Sequence, residues 1–170
     1  MLRDQGQRSA GLVARRQKGF SLIELLIVVA IILIIAAIAI PNLLRSRIAA
    51  NEASAVQSMR TITTVQNTYN SSYGAGYSPS LAALGPPAAG AAPTAAAADL
   101  IDSNFAAGTK SGYTFTYTPS AAIAGIIYNY TLNADPVTVG TTGQRHFFTD
   151  QTGVIRANTA AKAAATDPAI

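Results

Sequence analysis

Residues 18–41 read KGFSLIELLIVVAIILIIAAIAIP, and this stretch constrains how the whole chain is built. Positions 25–40 are apolar without interruption, and only Ser21 and Glu24 break the apolar run back to position 20. A helix over positions 20–40 is about 30 Å long, which matches the hydrocarbon core of a bilayer. The stretch is too long and too uniformly apolar for a surface helix of a small domain, so it predicts a membrane-spanning helix.

The positive charge of the chain lies before this helix. The formal net charge is +4, and residues 1–19 carry five Arg or Lys against one Asp, whereas residues 20–170 carry seven residues of each sign. Basic residues beside an apolar segment favour the cytoplasmic side, which predicts a cytoplasmic N-terminus and an outside location after Pro41. Because the remainder has no excess of basic residues, specific nucleic-acid binding is not predicted.

Residue patterns alone leave three interpretations of the apolar segment open. Ala37-Ile38-Ala39 fits the cleavage pattern of a secretory signal peptide, which would give a mature chain starting at Ile40. A plain signal anchor carrying an extracytoplasmic enzyme or binding domain is the second interpretation. The third interpretation is that Glu24 has a function. An ionisable group inside an apolar segment makes membrane insertion costly, so its presence there indicates a role that outweighs this cost.

The nine residues KGFSLIELL at positions 18–26 resemble the processing motif of type IV pilins and the related pseudopilins. The resemblance implies that prepilin peptidase removes a leader by cutting between Gly19 and Phe20, and that Phe20 is then N-methylated. It also places Glu24 at the fifth mature position and Pro41 at the twenty-second, where this family carries a glutamate and a proline.

A physical role for Glu24 follows from this placement. Leader removal would create an ammonium group at Phe20 within the membrane boundary. Glu24 of an incoming subunit could pair with the ammonium of a neighbour or with its own, and the attraction is stronger in low dielectric than in water, although desolvation offsets part of it. Such pairing would favour the correct axial register during subunit assembly.

The helical pattern continues beyond Pro41. Apolar and large side chains recur at spacings typical of one helix face, at Ile48, Ala55, Met59, Ile62, Gln66 and Tyr69. One long helix is therefore predicted from about 20 to 70, with 20–44 as its membrane or filament-core half and 45–70 as its amphipathic half. Pro41 lacks a backbone donor and crowds the carbonyl of Ala37, which predicts a kink; a true break into two helices is the alternative.

The residues after 70, together with the amphipathic half of the helix at 45–70, are predicted to form a small domain, called the head below. Residues 71–111 form a loop region, and its Ala/Pro/Gly-rich part at 85–98 is expected on the surface as a display loop or a spacer. Hydrophobic anchors that return the chain to the core are expected at Leu100, Ile101 and Phe105.

Alternating patterns predict an antiparallel sheet of about four strands within 112–157, followed by a flexible tail at 158–170. The predicted strands cover 113–117, 127–132, 146–149 and 154–156, the last two joined by a turn at 150–153. The sheet can bury its apolar face only against the amphipathic half of the long helix. The predicted fold class is therefore α+β, with a long N-terminal helical spine packed on the sheet.

Residues 143–156 also resemble the C-terminal hairpin of many bacterial type IV pilins. The two resemblances imply a structural subunit that polymerises into a type IV pilus, with a type II secretion pseudopilin or a minor pilin as the alternative. The implied partners are other copies of the chain, prepilin peptidase, a pilus assembly platform and, before assembly, the membrane. The implied location is the bacterial inner membrane and then an extracellular filament.

No catalytic residue, metal site or cofactor is predicted. The chain has no cysteine, which excludes disulfides, thiol nucleophiles and Cys-ligated zinc. The single histidine, His146, and Asp150 lie in a predicted strand and turn without a nucleophile motif. Asp99 and Asp102 could offer oxygen ligands to a cation, but their surroundings do not resemble a calcium loop.

Overall fold

The computed structural model describes residues 19–170, so the predicted leader lies outside the described residues except for Gly19. Chain contacts define two units that divide between Ile40 and Pro41. The elements in chain order are α1 (Leu22–Tyr73), α2 (Leu81–Leu84), α3 (Ser103–Ala106), β1 (Thr109–Lys110), β2 (Tyr113–Pro119), β3 (Tyr130–Pro136), β4 (His146–Asp150) and β5 (Arg156–Asn158). The predicted α+β class, a long N-terminal helix with an antiparallel sheet, is confirmed.

Helix α1 includes Pro41 and continues on both sides of it, so the alternative of two separate helices is wrong. The helix ends three residues later than predicted. Gly74 follows it with a φ of 65°, and its N–H donates to the carbonyl of Asn70 at 2.9 Å. Glycine adopts this left-handed conformation without a steric penalty, which explains why the helix ends there.

The sheet has the order β1-β2-β3-β4-β5, and every neighbouring pair of strands is antiparallel. Strand β3 lies at its centre, and Tyr130, Leu132 and Ala134 alternate with less buried residues along it. These side chains form one core with the predicted helix face, of which Ala55, Met59, Ile62, Gln66 and Tyr69 are buried and Ile48 is half-buried.

The strand predictions need three corrections. The last strand was expected at 154–156, but β5 covers Arg156–Asn158, because the register of its pairing with β4 sets Asn158 opposite His146. The second predicted strand was expected at 127–132, but β3 starts at Tyr130 and extends to Pro136 through residues of low strand propensity. Pairing with the whole of β2 forms this strand, because tertiary context outweighs propensity in sheets. The sheet also has five strands rather than four, since the two-residue β1 pairs with the start of β2.

The C-terminal residues 158–170, predicted as a flexible tail, are held against the sheet. The N–H of Ile170 donates to the carbonyl of Ile155, and the N–H of Ala157 donates to the carbonyl of Pro168, both at 3.0 Å. The carbonyl of Ala163, a buried residue, accepts from Nδ2 of Asn133 at 2.8 Å. The outer side of an edge strand has unpaired backbone groups, and on β5 the C-terminal segment supplies hydrogen-bond partners for them. The alanine content of the segment alone does not predict this contact.

The loop region between α1 and β1 lies mostly at the surface but is anchored at several points. Ile101 and Phe105 are buried and Leu100 is half-buried, so these predicted anchors are confirmed. Within the Ala-rich part, Ala98 is buried and the carbonyl of Ala95 accepts from the Tyr69 hydroxyl at 2.8 Å.

Candidate processing and assembly site

The predicted processing residues lie at the start of α1, where Ser21 precedes the first helical residue, Leu22. The N–H of Ser21 donates to Oε2 of Glu24 at 2.9 Å, and the carbonyl of Ser21 accepts from the N–H of Leu25 at 3.2 Å. Glu24 therefore makes the backbone contact of a capping box from the third helical position. Its carboxylate also lies in the first turn, where the helix dipole favours negative charge.

Gly19 and Phe20 lie before the helix and are exposed, Phe20 by 75%. A Cβ atom added at Gly19 would meet no heavy atom within 4 Å. The fold of the chain therefore does not itself require glycine at this position.

The surface of α1 that follows is apolar on every side. Its large hydrophobic residues between Leu22 and Leu44 are exposed, most of them by more than 40%. Among the described residues, α1 is the one helix that is long and apolar enough to cross a membrane, and none of its most apolar window is buried by the chain itself. Pro41 lies several turns beyond Glu24, so it does not belong to the same local site.

Glu52 is a buried glutamate of the head that the sequence pattern did not single out. Its Oε1 accepts from the backbone N–H groups of Gln144 and Arg145 at 2.9 and 3.1 Å, and its Oε2 accepts from Nε of Arg145 at 2.7 Å. Burial alone would raise the pKa of Glu52, but these hydrogen bonds and the Arg145 charge lower it below its ordinary value of 4.5. Glu52 thus ties α1 to the loop before β4.

A second buried polar contact joins three elements of the head. Nε2 of Gln66 donates to Oγ of Ser78 at 2.8 Å and lies 2.9 Å from the Tyr117 hydroxyl. Oε1 of Gln66 accepts from the N–H of Ser78, and the Tyr117 hydroxyl donates to the carbonyl of Ser78 at 2.7 Å. Each buried polar group of Gln66 is satisfied, so the residue connects α1 to the following loop and to β2.

Of the residues considered for chemistry, His146, Asp150 and Asp102 have structural partners, whereas the side chain of Asp99 is exposed and has no such contact among residues 19–170. Nδ1 of His146 lies 2.6 Å from Oδ1 of Asp135, and Asp150 accepts from the N–H of Thr152 within its turn. Asp102 caps α3 and pairs with Lys110 at 2.8 Å. Within residues 19–170, no group of three or more His, Cys, Asp or Glu side chains is placed to hold a metal ion.

Comparisons with known proteins concern the N-terminal segment. The family described as the prokaryotic N-terminal methylation motif matches residues 14–40. The type IV wide pilus major component PilA4 of Thermus thermophilus is 66% identical over 38 residues, which are 22% of this chain and 29% of that protein. The match thus spans less than a third of this relative's length. No solved structure matches the chain. The predicted resemblance to type IV pilins is confirmed for the N-terminal segment.

Proposed function

We propose that this chain is the precursor of a type IV pilus subunit. The observation that carries the proposal is the methylation motif at 14–40, whose second part is the start of α1, a helix whose apolar surface the described residues do not bury. Apolar surface of this extent requires lipid or other protein around it. The matched relative is a pilus major component, which favours a filament subunit over a secretion pseudopilin.

The proposed maturation begins with cleavage between Gly19 and Phe20 by prepilin peptidase, followed by methylation of the new N-terminus at Phe20. The exposure of both residues and their position before the first helical turn support this assignment. An extended, exposed bond can enter a protease site, whereas a bond inside a helix must first unwind. Cleavage also removes the basic leader residues that set the orientation of the helix in the membrane.

Glu24 is the proposed assembly residue. Its carboxylate lies at the start of the helix and accepts a hydrogen bond from the N–H of Ser21. It is four residues from Phe20, whose amino group becomes an ammonium once the leader is removed. In the apolar core of a filament this carboxylate needs a cation, and the N-terminus of a neighbouring copy supplies one. A subunit in the wrong axial register leaves both charges unpaired, so the pair selects the register.

The chain is accordingly proposed to reside in the bacterial inner membrane until an assembly platform transfers it to an extracellular filament. Its partners are the membrane, prepilin peptidase, the platform and other copies of itself. During transfer, the exposed side chains of α1 exchange lipid for the helices of neighbouring copies. This exchange keeps the apolar surface out of water at each stage.

The test separates the charge of Glu24 from its contact with the Ser21 N–H. Glu24→Gln keeps an oxygen that can accept from Ser21 but removes the charge, since capping boxes accept either residue. Glu24→Leu removes both. We expect both variants to give few sheared surface filaments at normal levels of mature protein in the membrane. Wild-type filament yield from Glu24→Gln, with loss only in Glu24→Leu, would mean that helix capping rather than charge pairing is needed.

A further inference from the structure

The outward face of α1 in the head is almost free of charge. Between positions 48 and 73 the helix has two charged residues, the buried Glu52 and the exposed Arg60. The exposed positions around Arg60 are small or uncharged, at Ala49, Ala53, Gln57, Thr64, Asn67 and Ser71. A helix face in water usually carries several charges with partners three or four residues away. Because this face has so few charges, another protein surface can cover it with little loss of charge hydration, and Arg60 is the one cation on it that then needs a partner.

Arg60 makes no side-chain hydrogen bond or ion pair with any described residue. Arg45 and Arg47 likewise form no ion pair there, but they lie within the first turns after the apolar segment, within reach of lipid phosphates. Arg60 lies about 24 Å further along the helix axis than Leu44, at 1.5 Å per residue. At that distance Arg60 cannot reach the phosphates of lipid that surrounds the apolar segment, so its charge remains available to water or to another protein.

All but one of the side-chain carboxylates of the head have a hydrogen bond or ion pair within the described residues. Contacts within the chain hold five of them, at Glu52, Asp102, Asp135, Asp150 and Asp167. The side chain of Asp99 is exposed and has no hydrogen bond or ion pair among residues 19–170. Its backbone is fixed, because its N–H donates to the carbonyl of Gly85 at 2.9 Å and the N–H of Leu100 donates to Leu84 at 2.8 Å.

We propose that the outward face of α1 docks on a second copy of this chain, and that Arg60 of one copy pairs with Asp99 of the next. The proposal rests on the proposed filament function and specifies a contact between heads within it. Arg60 lies on α1 and Asp99 on the loop between α2 and α3, so each copy would use a different element on either side of the contact. A head-to-tail contact of this kind forms an open filament when its rotation does not close into a ring. The guanidinium and carboxylate supply the complementary charges.

Charge reversal in the full chain tests this pair in a producing bacterium. Arg60→Glu and Asp99→Arg should each lower the yield of sheared filaments by about fivefold or more, while mature protein in the membrane stays at the wild-type level. The double variant should restore the yield to within about twofold of wild type. Arg45→Glu combined with Asp99→Arg is the matched control, and it should not restore assembly.

A second variant removes the concern that arginine strains the backbone at position 99, where φ is 56°. Asp99→Asn keeps a residue type that tolerates this conformation and removes only the charge, so it too should lower the yield. Wild-type filament yields from both Arg60→Glu and Asp99→Asn would overturn the pair while leaving the filament function intact. Absence of the wild-type chain from surface filaments would overturn the filament function and the pair together.

Discussion

Replacing Glu52 by glutamine should destabilise the head of the protein, because Glu52 is the one buried carboxylate that holds α1 to the loop before β4. Oε1 accepts two backbone N–H groups and Oε2 accepts Nε of Arg145. Glutamine can retain the two backbone bonds with its carbonyl oxygen. Its amide N–H₂ then faces the Arg145 side chain. Both groups are hydrogen-bond donors, so the ion pair between Glu52 and Arg145 is lost and no hydrogen bond replaces it.

The size of the effect follows from the contacts that are lost. A hydrogen bond to a charged group contributes about 2 kcal/mol, and a neutral one about 1 kcal/mol. The Arg145 side chain is 40% exposed, and water screens part of its attraction. We therefore expect Glu52→Gln to lower the free energy of unfolding by about 2 kcal/mol. Glu52→Leu, which leaves two backbone N–H groups without an acceptor, should cost about 4 kcal/mol.

Urea unfolding of a fragment of residues 45–170 measures these differences, and we expect this fragment to fold alone because it contains the whole core cluster. Lys110→Ala is the matched control. It breaks an ion pair of similar length, at 2.8 Å, whose side chains are 38% and 51% exposed, and it should cost about 0.5 kcal/mol or less. Equal effects of Glu52→Gln and Lys110→Ala would refute the claim that burial makes the Glu52 contact strong.

The same contact predicts a pH dependence. The pKa of Glu52 is lower in the folded head than its ordinary value of 4.5, so folding favours the ionised form. The contribution of the carboxylate to stability is therefore present above about pH 4.5 and is lost as the pH falls through the lowered pKa. The difference in unfolding free energy between wild type and Glu52→Gln should shrink over that acid range. A difference that stays constant from neutral pH to pH 2 would contradict the lowered pKa.

Three further predictions concern the core and the processing site. Ile62→Ala, at a fully buried position, should lower the free energy of unfolding of the head by about 2–5 kcal/mol, and an unchanged urea midpoint would refute its core role. Tyr117→Phe should cost about 1 kcal/mol because its hydroxyl contacts Ser78 and Gln66, and an unchanged urea midpoint would refute this contribution. Gly19→Val should leave full-length precursor in the membrane by immunoblot with the head still folded, and normal-sized mature protein would contradict the assigned cleavage position.

Local periodicity predicted the parts of the fold that depend on local sequence. The long apolar run, the helix face from Ala55 to Tyr69 and the alternation of Tyr113, Phe115 and Tyr117 each repeat with the period of their element. The start of the helix was predicted to within two residues, at about 20 against Leu22, from the apolar run that begins there.

Contacts between residues distant in sequence were not predictable in this way. The buried position of Glu52 depends on backbone donors 92 and 93 residues further along the chain, at Gln144 and Arg145. The C-terminal segment is ordered by backbone hydrogen bonds to the edge of β5, which its alanine content does not indicate.

Mass spectrometry of the chain recovered from sheared surface filaments tests the central claim most directly. Our account predicts an N-terminal peptide that begins at Phe20 and carries one methyl group on its amino nitrogen, in a protein that is a main component of the filaments. A mature chain that begins at Ile40, as removal of an ordinary signal peptide would produce, would contradict the account, as would filaments that lack the chain.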